Sequence, residues 1–175
     1  NTNWFTNGAG LWFNDRYGAG AVDTVAAMEL LKGDYQLRTL VSVTRQESDV
    51  LPATVPDGKM LELKMTLTAG DLTALGCPTT QSGAICQIEG VSVSFNLSHT
   101  IGVGQLRTEL FSPAGTKSLL ARQRANDPTR VVNFTYVSVQ FWGEEALPGL
   151  WRVRVNDTTL GGVASINAVR IRWEI

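Results

Sequence analysis

Five stretches of this chain set an apolar residue at about every second position, the period of a strand with one buried and one wet face. Leu61, Leu63, Met65 and Leu67 alternate with Glu62, Lys64, Thr66 and Thr68. Val91, Val93, Phe95 and Leu97 alternate with Ser92, Ser94, Asn96 and Ser98. Trp151, Val153 and Val155 alternate with Arg152, Arg154 and Asn156, and Val169, Ile171 and Trp173 with Arg170, Arg172 and Glu174. Tyr35, Leu37, Val41 and Val43 give the same period less cleanly. Weaker runs at 105–112, 117–123 and 132–141 bring the count to about eight strands. Pro56-Asp57-Gly58, Ser112-Pro113-Ala114-Gly115, Asn126-Asp127-Pro128, Pro148-Gly149 and Gly161-Gly162 supply the turns between them. Short antiparallel strands without alternating helices predict an all-β sandwich, most simply a jelly roll. The 175 residues suffice for one ordinary domain with a real core and not for two.

Residues 1–33 read differently. Trp4, Phe5, Trp12 and Phe13 stand among turn formers and need a surface to bury against. Tyr17-Gly18-Ala19-Gly20-Ala21-Val22-Asp23 then leads into a predicted helix from about Asp23 to Lys32. Asp23 can accept from the free amides of the first turn, Lys32 suits the negative end of the dipole, and Gly33 can end the helix. A helix this short is marginal alone in water, so it must pack on something.

Charge and cysteine usage narrow the class further. Fifteen basic residues nearly cancel sixteen acidic ones, which removes the footprint of a nucleic-acid binder or of a protein held to anionic membranes. No apolar run approaches the twenty or so residues of a membrane span. Without an initiating Met or a leader-like segment, the sequence reads as a piece of something longer. Cys77 and Cys86 enclose eight residues rich in Thr, Ser and Gly, a spacing that suits a disulfide in an oxidising compartment. Two unrelated buried thiols are the alternative. The sequons at Asn96, Asn133 and Asn156 are compatible with secretion.

A search for reaction chemistry finds none. No nucleophile elbow, P-loop or paired-histidine zinc motif occurs. The sole histidine, His99, lies at a predicted strand end and reads as a packed, hydrogen-bonded residue. Gly102-x-Gly104 is a glycine-rich turn with no helix after it to bind phosphate. Glu144 and Glu145 are adjacent and point to opposite sides of a strand, unlike a glycosidase pair facing one cleft. No catalytic and no cofactor-binding residue is therefore assigned. Asp127, Asp157 and Glu144 lie in or near predicted loops and are the candidate ligands should calcium bind; solvated turn carboxylates are the alternative.

An ordered set of motifs is informative. His99-Thr100, Gly104-Gln105-Leu106, Ser112-Pro113-Ala114-Gly115-Thr116, Phe141-Trp142-Gly143-Glu144 and Gly149-Leu150-Trp151 together resemble the P domain (Homo B domain) of kexin- and furin-like subtilisin proteases. Asn7-Gly8-Ala9-Gly10, Asn14 and Tyr17-Gly18-x-Gly20-x-Val22-Asp23 resemble the closing segment of that family's catalytic domain. Two departures stand out: Gln105 replaces the family's Asp, and Val169 replaces a Trp usual near the last strand, with Trp173 as a possible substitute.

The resemblance implies a galactose-binding-like jelly-roll sandwich over 34–175, with 1–33 as the end of the catalytic domain. It implies a non-catalytic module of a secreted subtilisin-like endopeptidase that docks on and stabilises its protease domain and tunes its calcium, pH or substrate dependence. The expected partners are that catalytic domain in the same chain and, through it, protein substrate. Trp142 and Trp151 are expected in the core. The alternative is an extracellular jelly roll that binds carbohydrate or protein; a third, a purely structural coat or pilus subunit, is disfavoured by the protease-like start.

Overall fold

Strands form where the period of two predicts them. A computed structural model describes residues 3–33, 39–47, 50–77 and 86–175. Its described strands are β1 (Trp4–Thr6), β2 (Trp12–Asn14), β3 (Ser42–Glu47), β4 (Ala53–Val55), β5 (Met60–Leu67), β6 (Gly90–His99), β7 (Leu106–Phe111), β8 (Lys117–Ala121), β9 (Val131–Ser138), β10 (Gly149–Asp157) and β11 (Ala164–Glu174). Two helices accompany them, α1 (Thr24–Leu31) and α2 (Ala69–Ala74). The expected run at Tyr35 and Leu37 falls outside the described residues.

Nine of these strands build two antiparallel sheets, one ordered β5-β10-β7-β8 and the other β3-β11-β6-β9 with β4 also on β11. Strands β1 and β2 form a separate hairpin. The alternation decides which side chains meet between the layers. Leu63, Met65 and Leu67 of β5 and Trp151, Val153 and Val155 of β10 face Val91, Val93 and Phe95 of β6 and Ile171 and Trp173 of β11 in one buried cluster. Burying each large side chain contributes about 1.5–3 kcal/mol. The indoles of Trp151 and Trp173 cross edge to face at 5.8 Å, joining the two sheets, and Phe141 meets Trp151 at 5.0 Å.

In β11, Ala164 and Ile166 point inward, and so do Val169, Ile171 and Trp173, which have the opposite parity. A register shift between Ile166 and Ala168 against β6 inserts one residue and reconciles the two sets. Val169, in the place of the expected Trp, is fully buried, and Trp173 lies inside against Trp151.

One helix was expected, and the described residues hold two α-helices. The second, α2, has a sequence signal in Thr68-x-x-Asp71: the Thr68 side chain accepts from the Asp71 amide while Asp71 accepts from the Thr68 amide. Burial pushes the Asp71 carboxyl up, but hydrogen bonds from Arg45 and Thr68 outweigh it and hold it below the usual carboxylate range. Cys77, just past α2, is joined to Cys86, just before β6, with 5.7 Å between their Cα atoms. Among the described residues, no helix is long and apolar enough to cross a membrane.

Candidate functional site

The N-terminal segment and the sandwich meet at a small polar clamp. Asn7, between β1 and β2, is buried and uses its whole amide. Its Oδ1 accepts from the amides of Ala9 (3.0 Å) and Leu11 (2.9 Å), and its Nδ2 donates to the carbonyls of Gln140 (3.1 Å) and Trp142 (2.9 Å). The next residue, Gly8, donates its amide to the hydroxyl of Thr116 at 2.8 Å and to a carboxylate oxygen of Glu144 at 3.0 Å. The Thr116 hydroxyl itself donates to Glu144. Glycine is required at position 8, because a Cβ there would lie 2.7 Å from the Ala114 Cβ and 3.0 Å from the Glu144 side-chain carbon. Thr116 closes the Ser112–Gly115 turn and Glu144 follows the Phe141–Gly143 turn, so two of the sequence motifs exist here as one receptor for Asn7 and Gly8.

Beyond the clamp the segment is bare. Phe13 is buried, but Trp12 is 64% exposed, and α1 buries no residue. Val22, Val25, Met28, Leu30 and Leu31 stand open to solvent, Val22 at 82% and Leu31 at 72%. Local signals still form the helix: Asp23 caps it by accepting from the Ala26 amide at 2.9 Å. The expectation that this helix packs on something is not met within the described chain.

At the far end of β6 and β10, His99 and Asp157 are both fully buried. The ring Nδ1 accepts from the amides of Ile101 (3.1 Å) and Gly102 (3.0 Å), which assigns the proton to Nε2, facing Asp157 Oδ2 at 3.3 Å. With both ring nitrogens used and neither reaching solvent, the pair is a strut between strands and offers no base to a substrate. Gly102 and Gly104 belong to the same end. A Cβ on Gly104 would fall 2.1 Å from the Arg124 carbonyl oxygen, so this glycine pair permits backbone packing.

The three candidate calcium ligands do not come together. Asp157 faces His99, and Glu144 lies under Gly8. Asp127 receives the Thr129 amide at 3.1 Å and the Arg124 guanidinium at 2.8 Å, and bonds from Thr129 and then Arg124 hold its carboxyl down to about 2. Among the described residues no group of three or more His, Cys, Asp or Glu side chains is disposed to hold a metal ion. These carboxylates do not fit one shared calcium. Glu144 and Glu145 diverge as expected, one buried and one exposed.

Trp151 is in the core as expected, but Trp142 is not: it is 48% exposed, its Nε1 donating to Glu89 at 2.7 Å. The turn that lets its carbonyl reach Asn7 carries the ring outward. The clamp is not legible in the sequence because its partners lie so far apart; Asn7-Gly8, Thr116 at the end of its turn motif and Trp142-Gly143-Glu144 are its traces.

The proprotein convertase P-domain pattern matches residues 88–173. An extracellular serine protease of Aeromonas sobria is 29% identical over 172 residues, covering 90% of this chain and 26% of the relative. Rat proprotein convertase subtilisin/kexin type 6 is 29% identical over 163 residues, covering 89% of this chain and 16% of that protein. The chain thus spans about a quarter or less of the length of these relatives. The crystal structure of the Aeromonas sobria serine protease with its chaperone superposes on 98% of this chain and 33% of that one, with a TM-score of 0.73 at 22% identity, and so has the same fold. Residues 88–173 of this chain are thus similar to the proprotein convertase P domain, and the fold agrees with that likeness.

Proposed function

We propose that the chain is the non-catalytic P domain of a secreted subtilisin-like serine endopeptidase, carrying the end of the catalytic domain as residues 1–33 and the P domain as residues 34–175. In this reading the sandwich docks on the protease domain of the same polypeptide and stabilises it, and protein substrate reaches it through that domain. One observation carries the proposal: the segment is fixed to the sandwich by Asn7 and Gly8 while Val22 and four apolar side chains of the helix after it stand open to solvent among the described residues. A catalytic domain covering α1 would bury them, and a module that binds only the folded protease lowers its free energy relative to the unfolded state. Tethering in one chain supplies a high effective concentration. The Cys77–Cys86 disulfide supports an oxidising compartment, as does the relative's extracellular location. Calcium or pH tuning of the protease enters this reading only as an effect on the docked surface, with no step routed through Asp127, Asp157 and Glu144 as a metal site.

The test is a comparison of the whole protease with and without residues 34–175. The proposal expects a lower melting temperature and lower activity without them; unchanged values would remove the stabilising role. A second reading, a jelly roll that binds carbohydrate or an extracellular protein, is favoured by the half-exposed Trp142 ring beside Glu89. Binding of the chain to a glycan array, with loss of binding in Trp142→Ala, would select it.

A further inference from the structure

A polar cleft of about 410 Å³ lies between the N-terminal segment and the β7–β8 side of the sandwich. Three guanidiniums from separate parts of the chain line it: Arg16, Arg107 on β7 and Arg122 just after β8. Among the described residues Asp15 is the one carboxylate in its wall, with Gln123 and Thr158 adding polar groups. The cleft wall therefore carries an excess of positive charge in a chain whose formal net charge is −1.

Two further facts make this more than a chance cluster. Among the described residues Arg16 and Arg122 form no salt bridge, whereas Arg45, Arg124 and Arg154 each hold a carboxylate. Arg107 is held by Glu109, to which its Nε (3.1 Å) and Nη2 (2.7 Å) both donate. Arg16 is presented by a tight loop. The buried Asn14 side chain accepts the Arg16 amide at 2.8 Å, and Asn14 and Gly18 exchange backbone bonds at 2.8 and 2.9 Å across the loop. Arg16 and Arg122, unpaired among the described residues, repel each other, and a bidentate oxyanion removes that repulsion while filling their donor forks.

We propose that this cleft is a binding site for an oxyanion group, of the phosphate or carboxylate kind, that bridges the N-terminal segment to the sandwich. Because Arg16 stands on one side of the junction and Arg107 and Arg122 on the other, an occupied cleft holds the two together. Occupation therefore reinforces the Asn7–Glu144 clamp from a second point. The site lies wholly within this chain and does not depend on the docking of a protease domain.

The experiment titrates the full chain by calorimetry and thermal unfolding at constant ionic strength, balanced with sodium chloride. One arm uses inorganic phosphate and pyrophosphate, the other a triglutamate peptide. Saturable binding in either arm, with a rise in melting temperature that grows with ligand, is the expected result, and the arm that saturates identifies the source of the oxyanion. Arg16→Ala and Arg122→Ala are each expected to weaken binding about tenfold, the scale of one charged hydrogen bond. Arg170→Ala, on the opposite sheet, is expected to leave it unchanged. The proposal is overturned if neither arm saturates, or if the Arg16 and Arg122 variants bind like the parent chain.

Discussion

The Gly8 amide and the Glu144 carboxylate meet at 3.0 Å although 136 positions separate them along the chain. With Thr116 they form the polar core of the contact between the N-terminal segment and the sandwich. Glu144→Ala removes a buried acceptor and strands the donors aimed at it, at a cost of about 1–3 kcal/mol. Thermal unfolding of the variant reports the loss, and limited proteolysis is expected to cut first between residues 3 and 33. Gly8→Ala is expected to loosen the segment in the same way, because its new methyl group collides with Ala114 and Glu144. An unchanged cleavage pattern in both variants would show that the clamp does not hold the segment.

His99 and Asp157 lead to a prediction about stability alone. His99→Phe leaves the Ile101 and Gly102 amides without an acceptor and the buried Asp157 without its ring donor. The expected loss is about 3 kcal/mol or more, read from denaturant unfolding with an unchanged m-value.

Acid is expected to unfold the sandwich in a defined window. Asp127 is held down to about 2 by Thr129 and Arg124, and Glu62 lies below its usual range, first through its hydrogen bond from Arg154. Asp71 is lowered as well, its bonds from Arg45 and Thr68 outweighing burial. A carboxyl whose folded pKa lies below its unfolded value, near 4, stabilises the fold at higher pH and gives this up as pH falls through the folded value. Melting temperature should therefore drop between about pH 4 and pH 2. Asp127→Asn should make that part of the curve shallower, and an unaltered slope would contradict the assignment.

Reduction of Cys77–Cys86, or the double change to serine, opens a loop of sequence separation 9. On the chain-entropy model the cost is about 2–3 kcal/mol. Unfolding measured with and without reductant checks it, and the serine pair should show no response to reductant.

How much was legible from sequence depends on the distance over which each feature is specified. Strands β5, β6, β10 and β11 could be read because each buries one face, so that Leu63, Phe95, Val153 and Ile171 carry the pattern within a few residues. Helix α1 could be read from Asp23, but its lack of a packing partner could not, since that belongs to surfaces beyond the helix. The six-residue α2 lacks the length for a hydrophobic period, and only its capping box announces it. Trp142 has the same apolar bulk as Trp151, and the turn beneath it, not its residue type, sends it to the surface. The three carboxylates proposed for calcium are a comparable case: their loops could be located, but not the separate donors that each had already met.

The extra residue near Asn167 makes β11 unequal in what it tolerates. Removing that one position would put the two halves of the strand in phase, with Ala164, Ile166, Val169, Ile171 and Trp173 all on the inward face of a regular ladder. Removing Arg170 instead would make Val169 and Ile171 neighbours, so that either Val169 or Ile171 and Trp173 would be thrust into water, the latter with the ring contact that joins the two layers. Length variation among descendants of this chain should therefore gather in the connections and, within this strand, at the extra residue alone.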